Sequence, residues 1–306
     1  MKHTFESIEP GMEFGPIEQV LDRHVATAFA FSVDDFHHMG ANGVLPEVSA
    51  SYSAWAAKRL MHLYMLTVFD PQGVKAVHVK EDFEFLAPVK LGSKLTLRGR
   101  CVDKYVRKGR GMVACVSEAL DESGRVLVRQ HSLEIVPRSE SSPIDDTEPA
   151  GGVERLSARH VAGKKLDVAA VNDWQAYKGG QAVLPTLHKT IHQDQIGVFC
   201  GADEGWRNLH TSQEVANEAG FDRPLMSGLI HSCWFVELLT RFFGSGVMQN
   251  LRLGSTYLSP VQAGANVECY GQIVESSADR VGVELWSEAD GKMAASGFAE
   301  ILLPLN

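Results

Sequence analysis

Apolar positions along the chain fall into two kinds of segment. Ser49 to Val68 and Ser227 to Phe243 are long and crowded with large apolar residues, among them Tyr52, Trp55 and Leu60 in the first and Leu229, Cys233 and Trp234 in the second. These residues cover more than one stripe of a helical wheel, so each segment predicts a helix enclosed on several sides. Elsewhere apolar and polar residues mix in shorter runs. Met112 to Leu120 is followed by the turn Asp121-Glu122-Ser123-Gly124 and by Val126 to Val136, and Val281 to Ser287 by Asp290-Gly291 and Met293 to Leu303. Strand-like runs separated by turn residues predict antiparallel hairpins. A long helix wrapped by an antiparallel sheet is the simplest architecture for such a series, which places the chain in the α+β class.

The pattern is written twice. Leu86-Ala87-Pro88-Val89 is followed by Gly92 and Gly99, and Leu258-Ser259-Pro260-Val261 by Gly264 and Gly271, at a constant offset of 172 residues. Both copies close on a proline, Pro137 and Pro304, at an offset of 167, which predicts that the second copy has lost about five residues in its middle hairpin. Between them Arg138 to Gly152 reads RSESSPIDDTEPAGG, a polar stretch without apolar periodicity and therefore a linker. The expected organisation is one domain over residues 1–138, a linker over 139–152 and a second domain over 153–306.

Composition removes several function classes. The formal net charge is −9 over 306 residues, and the longest basic run, Arg107-Lys108-Gly109-Arg110, reads as a solvated hairpin end, so nucleic acid is not an expected partner. The five cysteines, Cys101, Cys115, Cys200, Cys233 and Cys269, form no metal-type spacing and read as reduced, mostly buried thiols. The N-terminus carries no apolar signal core, and Cys233 to Phe243, interrupted by Glu237 and Arg241, is too short to span a bilayer; no membrane partner and a cytoplasmic location are the expectations. Neither a dinucleotide nor a phosphate-loop fingerprint occurs, and no metal is expected.

The chemistry concentrates between Gln195 and Leu239. Here Gly201-Ala202-Asp203, Asn208-Leu209-His210, Ala216, Gly220-Phe221-Asp222-Arg223-Pro224-Leu225 and Ser227-Gly228-Leu229 precede the second long helix in that order. This arrangement resembles the MaoC-like (R)-specific enoyl-CoA hydratase/dehydratase family, and together with the repeat the resemblance spans nearly the whole chain. It implies a double hot-dog: two antiparallel sheets, each wrapped around a long central helix, with a degenerate site in the first. It also implies a hydratase interconverting a 2-enoyl-CoA and a 3-hydroxyacyl-CoA of R configuration, with CoA belonging to the substrate and no further cofactor. Hydration needs a base for water, an acid for C2 and donors for the thioester oxygen. By resemblance Asp203 and His210 hold the water and the Gly228 N–H meets the oxygen, while Asn208, Ser227 and Leu229 line the substrate.

The sequence departs from the family pattern in ways that leave alternatives open. Asp203 lies seven residues before His210, where the family places its aspartate five before, at the position Gly205 holds here. An extra bulge can restore Asp203, Glu204 can substitute for it, or the carboxylate is lost and Asn208 orients the water. Ser227 stands where the family has a histidine, as a helix cap or a polar contact to the acyl group. Trp206 reads as packing, His231 as a core or interface histidine, and Arg207, Arg223 and Arg252 as surface charges that are also candidates for a substrate carboxylate or CoA phosphate. Asp34-Asp35-Phe36-His37-His38 in the first copy resembles a metal or acid–base cluster but lacks the Asn-Leu-His element, so it reads as a remnant. A hot-dog thioesterase and a non-catalytic acyl-CoA-binding subunit are the competing functions, and a homodimer is open.

Overall fold

The computed structural model describes residues 4–37, 44–68, 76–139, 145–147, 149, 155–202 and 204–305, with Leu66 in its backbone only. Most of the expected linker, together with Asp203 and His38, lies outside these residues. In chain order the first half contains β1 (Glu13–Val20), α1 (Arg23–Val33), α2 (Ala50–Thr67), β2 (Val77–Phe85), β3 (Lys94–Arg107), β4 (Arg110–Leu120) and β5 (Val126–Val136). The second contains β6 (Ala182–Val183), β7 (Leu187–Thr190), α3 (Gln193–Phe199), α4 (Gln213–Glu218) and α5 (Leu229–Phe243), then β8 (Leu251–Tyr257), β9 (Asn266–Ser276), β10 (Arg280–Ala289) and β11 (Lys292–Leu302).

All pairings between these strands are antiparallel, and the order is β1-β3-β4-β5-β2-β8-β11-β10-β9, with β6 and β7 both on β9. The two expected sheets meet edge to edge at β2 and β8, where Lys80 faces Thr256, Glu81 faces Ser255 and Phe85 faces Leu251. One half read outward from that seam repeats the other, and each would otherwise expose an unpaired edge there.

The predicted hairpins form. Lys108-Gly109 and Asp290-Gly291 are two-residue turns with φ of 51° and 70°, and 51° and 71°, the left-handed pair that matches strand twist. The missing residues of the second copy are not confined to one hairpin. Strand starts and ends are 172 apart at Lys94 and Asn266, 169 at Leu120 and Ala289, and 166 at Val126 and Lys292, so the turn after the hairpin shortens too.

The two long helices form the core with the inner face of the sheet. Every residue of α5 is buried except Arg241, which accounts for an apolar pattern wider than one stripe. Fully burying a large apolar side chain contributes about 1.5–3 kcal/mol, and Trp234, Phe235, Tyr52 and Tyr64 are all at 1% exposure or less. Ser49 caps α2 by accepting the Ser51 N–H, and α5 stops at Gly244, whose φ of +84° side chains rarely adopt.

On the outer face, Ser157 spans the seam. Its N–H and hydroxyl donate to the Asp82 carboxylate of β2, and its carbonyl accepts from Lys80 of β2 and Thr256 of β8. Gly254 permits this approach, because a Cβ there would lie 2.1 Å from Ser157 N. No helix among the described residues is long and apolar enough to cross a membrane.

Candidate active site

The short helices α1 and α3 carry the end of each half onto the central helix of the other. The Trp234 indole of α5 donates to the carbonyl of Val33, the last residue of α1, at 2.8 Å. In the reciprocal place the His62 imidazole of α2 donates to the carbonyl of Phe199, the last residue of α3. Between them Phe29 and Phe199 pack with ring centres 6.3 Å apart, and Gln195 donates to the Phe31 carbonyl.

The segment after α3 is folded by its own polar residues. Gly201 adopts φ +86° with the Trp206 ring where a Cβ would be, and Trp206 lies 5.1 Å from the His62 ring, confirming a packing role that joins the halves. Asn208 turns the chain: its Oδ1 accepts the His210 N–H at 2.8 Å, and its own N–H donates to Thr211 Oγ1. That carbonyl oxygen is therefore already engaged in the loop. Ser212 caps α4 by accepting the Val215 N–H, and Ala216 is the buried residue of that helix.

The His210 ring is held by a hydrogen bond to the backbone. Its Nδ1 lies 2.8 Å from the carbonyl of Leu225, which can only accept, so Nδ1 carries the proton and Nε2 is the basic nitrogen. Burial pushes its pKa below the ordinary value, partly offset by that carbonyl. His62 is lowered well below 6.5, first by burial and then by Lys58, Arg59 and, more weakly, His210. Two neutral imidazoles thus face this part of the molecule from opposite halves. His62 was missed from the sequence because it lies in an apolar helix with no motif around it.

Leu225 leads directly into the start of α5. Met226 N–H bonds to Val261, Ile230 N–H to Ser227 and His231 N–H to Gly228, so the helix begins at the Ser227-Gly228 step. The expected Ser227 hydroxyl cap is not made; Gly228 holds the cap position in helical conformation, and Ser227 contributes its carbonyl. A Cβ on Gly228 would lie 2.7 Å from the Tyr257 ring, so only glycine fits. Leu229 is buried beside it. Asp203 lies outside the described residues, and the alternative carboxylate, Glu204, pairs with Arg59 of α2 at 3.1 Å.

The remaining candidates resolve as structure. His231 bonds Ser287 through Nδ1 at 2.9 Å and is pushed down to about 3 by burial, a core histidine as expected. Arg207 pairs with Glu214, Arg223 donates to the Ala263 carbonyl and Arg252 pairs with Glu300. All five cysteines are free and buried, Cys200 being pushed up to about 12 by burial. In the first copy Asp35 and His37 bond at 2.5 Å and come close enough to Glu237 of α5 to share a cation. Lys189 and Arg241 already hold the Glu237 carboxylate at 2.8 and 2.6 Å, supplying positive charge at that place.

Strand order, paired central helices and the edge-to-edge seam define a double hot-dog protein. Solved structures bear this out over the full chain. A MaoC-like dehydratase aligns with a TM-score of 0.68 at 17% identity, covering 99% of this chain and 100% of that one. A putative MaoC domain protein dehydratase from Chloroflexus aurantiacus gives 0.70 at 12% identity, covering 100% and 98%. A Mycobacterium tuberculosis protein described as having a double hot-dog fold gives 0.65 at 13% identity, covering 99% of both. At these identities the likeness is one of fold. No model of a protein family and no curated protein sequence matches the chain.

Proposed function

We propose that the chain is a hydratase/dehydratase that interconverts a 2-enoyl-CoA and a 3-hydroxyacyl-CoA, with the R product. The observation that carries this reading is the bond from His210 Nδ1 to the Leu225 carbonyl, which presents a neutral imidazole with a basic Nε2 one short segment from the N-terminus of α5. Nε2 takes a proton from water, the hydroxide adds to C3, and the charge that moves onto the thioester oxygen is met by the Gly228 N–H. The first N–H groups of a helix lack partners within it and sit at its positive end. A proton delivered to C2 completes the addition of water. Asp203 is assigned as the partner of His210, because Glu204 is drawn to Arg59. The fold likeness supports this reading without carrying it, since one fold serves many chemistries.

Loss of enoyl-thioester absorbance measured for wild type and His210→Ala tests the reading. The variant is expected to lose roughly 10²–10⁴ in rate with the fold intact, as befits a general base. Equal rates, or a 3S product, would overturn it.

A further inference from the structure

The loop that carries His210 is tied to the other half of the molecule by a guanidinium. Arg59 of α2 has its side chain at 12% exposure, and its Nη1 donates to Glu204 Oε1 at 3.1 Å and to His62 Nδ1 at 3.4 Å. A neutral imidazole has one donor nitrogen and one acceptor. Since Nδ1 receives the Arg59 N–H, Nε2 is the nitrogen that donates to the Phe199 carbonyl, and both nitrogens of His62 are engaged. Arg59 and His62 lie three residues apart on one face of α2, so a cation and a ring meet the segment after α3 together.

A run of bonds leads from these contacts to His210. The Glu204 and Trp206 N–H groups both donate to the Gly201 carbonyl at 3.0 Å, closing a turn whose glycines, Gly201 and Gly205, have φ of +86° and +79°. Against the first half, Glu204 rests on Arg59 and Trp206 on the His62 ring. The Trp206 carbonyl accepts the Thr211 hydroxyl at 2.6 Å, and that hydroxyl oxygen accepts the Asn208 N–H at 3.0 Å. Asn208 Oδ1 in turn accepts the His210 N–H. Glycine backbone is permissive and does not fix its own path, so a turn of this kind takes its place from what its side chains hold.

We propose that Arg59 is a positioning residue for His210: through Glu204 and His62, the central helix of the first half holds the loop that carries the base of the second. Arg59 touches no reacting atom and acts on the imidazole through the loop. A guanidinium suits the task, because it stays charged and offers several donors in one plane. The base must lie within hydrogen-bond reach of the water it activates. A displacement of about 1 Å caused by a remote substitution can cost roughly a hundredfold in rate. The inference rests on the reading of His210 as the base of a thioester hydratase.

The test uses the full chain with 2-hexenoyl-CoA, followed by absorbance, and three variants: Arg59→Met, which keeps the stem and removes the donors, Glu204→Ala, and the two combined. Each is expected to lower kcat by about tenfold or more while KM stays within about twofold. The double variant is expected to lose no more than Arg59→Met alone, since the two side chains act as one unit. In parallel the His210 ring is titrated by NMR in the free protein. Burial holds it below its ordinary value of 6.5 in the wild type. A loosened loop admits water, so the midpoint is expected to move up towards 6.5 in all three variants, and the acid limb of kcat/KM to move with it. Circular dichroism checks the fold; should Arg59→Met not fold, Glu204→Ala, at a side chain 40% exposed, carries both measurements. A raised KM at unchanged kcat would place Arg59 on the substrate, and additive losses or an unmoved His210 midpoint would show separate structural contacts. Each of these overturns the inference while wild-type turnover sustains the hydratase. If no thioester turns over in the wild type, the hydratase reading falls, and the titration alone decides whether Arg59 positions His210.

Discussion

At the scale of single residues, the base proposed above, His210, is uncharged near neutrality because it is buried. Burial lowers its pKa below 6.5, so the neutral base persists into mildly acidic solution. The rate of hydration is expected to rise with pH along an acid limb whose midpoint lies below 6.5, measured as kcat/KM against pH. Gly228 is constrained by Tyr257: Gly228→Ala places a methyl carbon 2.7 Å from that ring. The expected cost is about 1–3 kcal/mol of overpacking, read from urea unfolding, together with loss of turnover. The place of both residues ahead of α5 was legible in the sequence because they keep their spacing to the helix that follows. The pairing of Glu204 with Arg59 and of Trp206 with His62 was not, since these partners lie about 145 residues apart on different halves. Local pattern carries no information about which helix will face a loop.

At the scale of elements, the long helices and the hairpins were readable because their apolar pattern persists for ten residues or more. The short pieces were not. Strands β6 and β7 have two and four residues, too few for a period to show, and α1 alternates small residues with large ones. Some of these unread elements join the halves a second time, beyond the seam between β2 and β8. Lys189 of β7, at 3% side-chain exposure, pairs with the buried Glu237 of α5 and donates to the Asp34 carbonyl at the end of α1. Lys189→Met removes one of the two cations paired with that carboxylate and leaves Arg241. Removing one member of a buried pair is strongly destabilising, so a loss of about 3 kcal/mol is expected by denaturant titration.

At the scale of the whole molecule, the seam sets how stability answers to pH. Burial alone would lower His78, but Glu134 and Glu81 outweigh it and carry the imidazole up to about 9. Glu81 itself is pushed up to about 7 by burial, with His78 opposing. A histidine raised in the folded state contributes stability that is complete below 6.5 and is lost as pH rises through 9. Ionisation of Glu81 acts in the same direction up to about 7. The melting temperature is therefore expected to fall between pH 6.5 and 9, and His78→Gln to flatten that decline; a rising or level wild-type profile would contradict it. The reciprocal crossing of α1 and α3 has a consequence for inheritance. Neither copy is free to vary alone: His62 and Arg59 of the first meet Trp206 and Glu204 of the second. Loss of either copy would remove a side of the other, so a substitution in one half is inherited as a change in the wall of both.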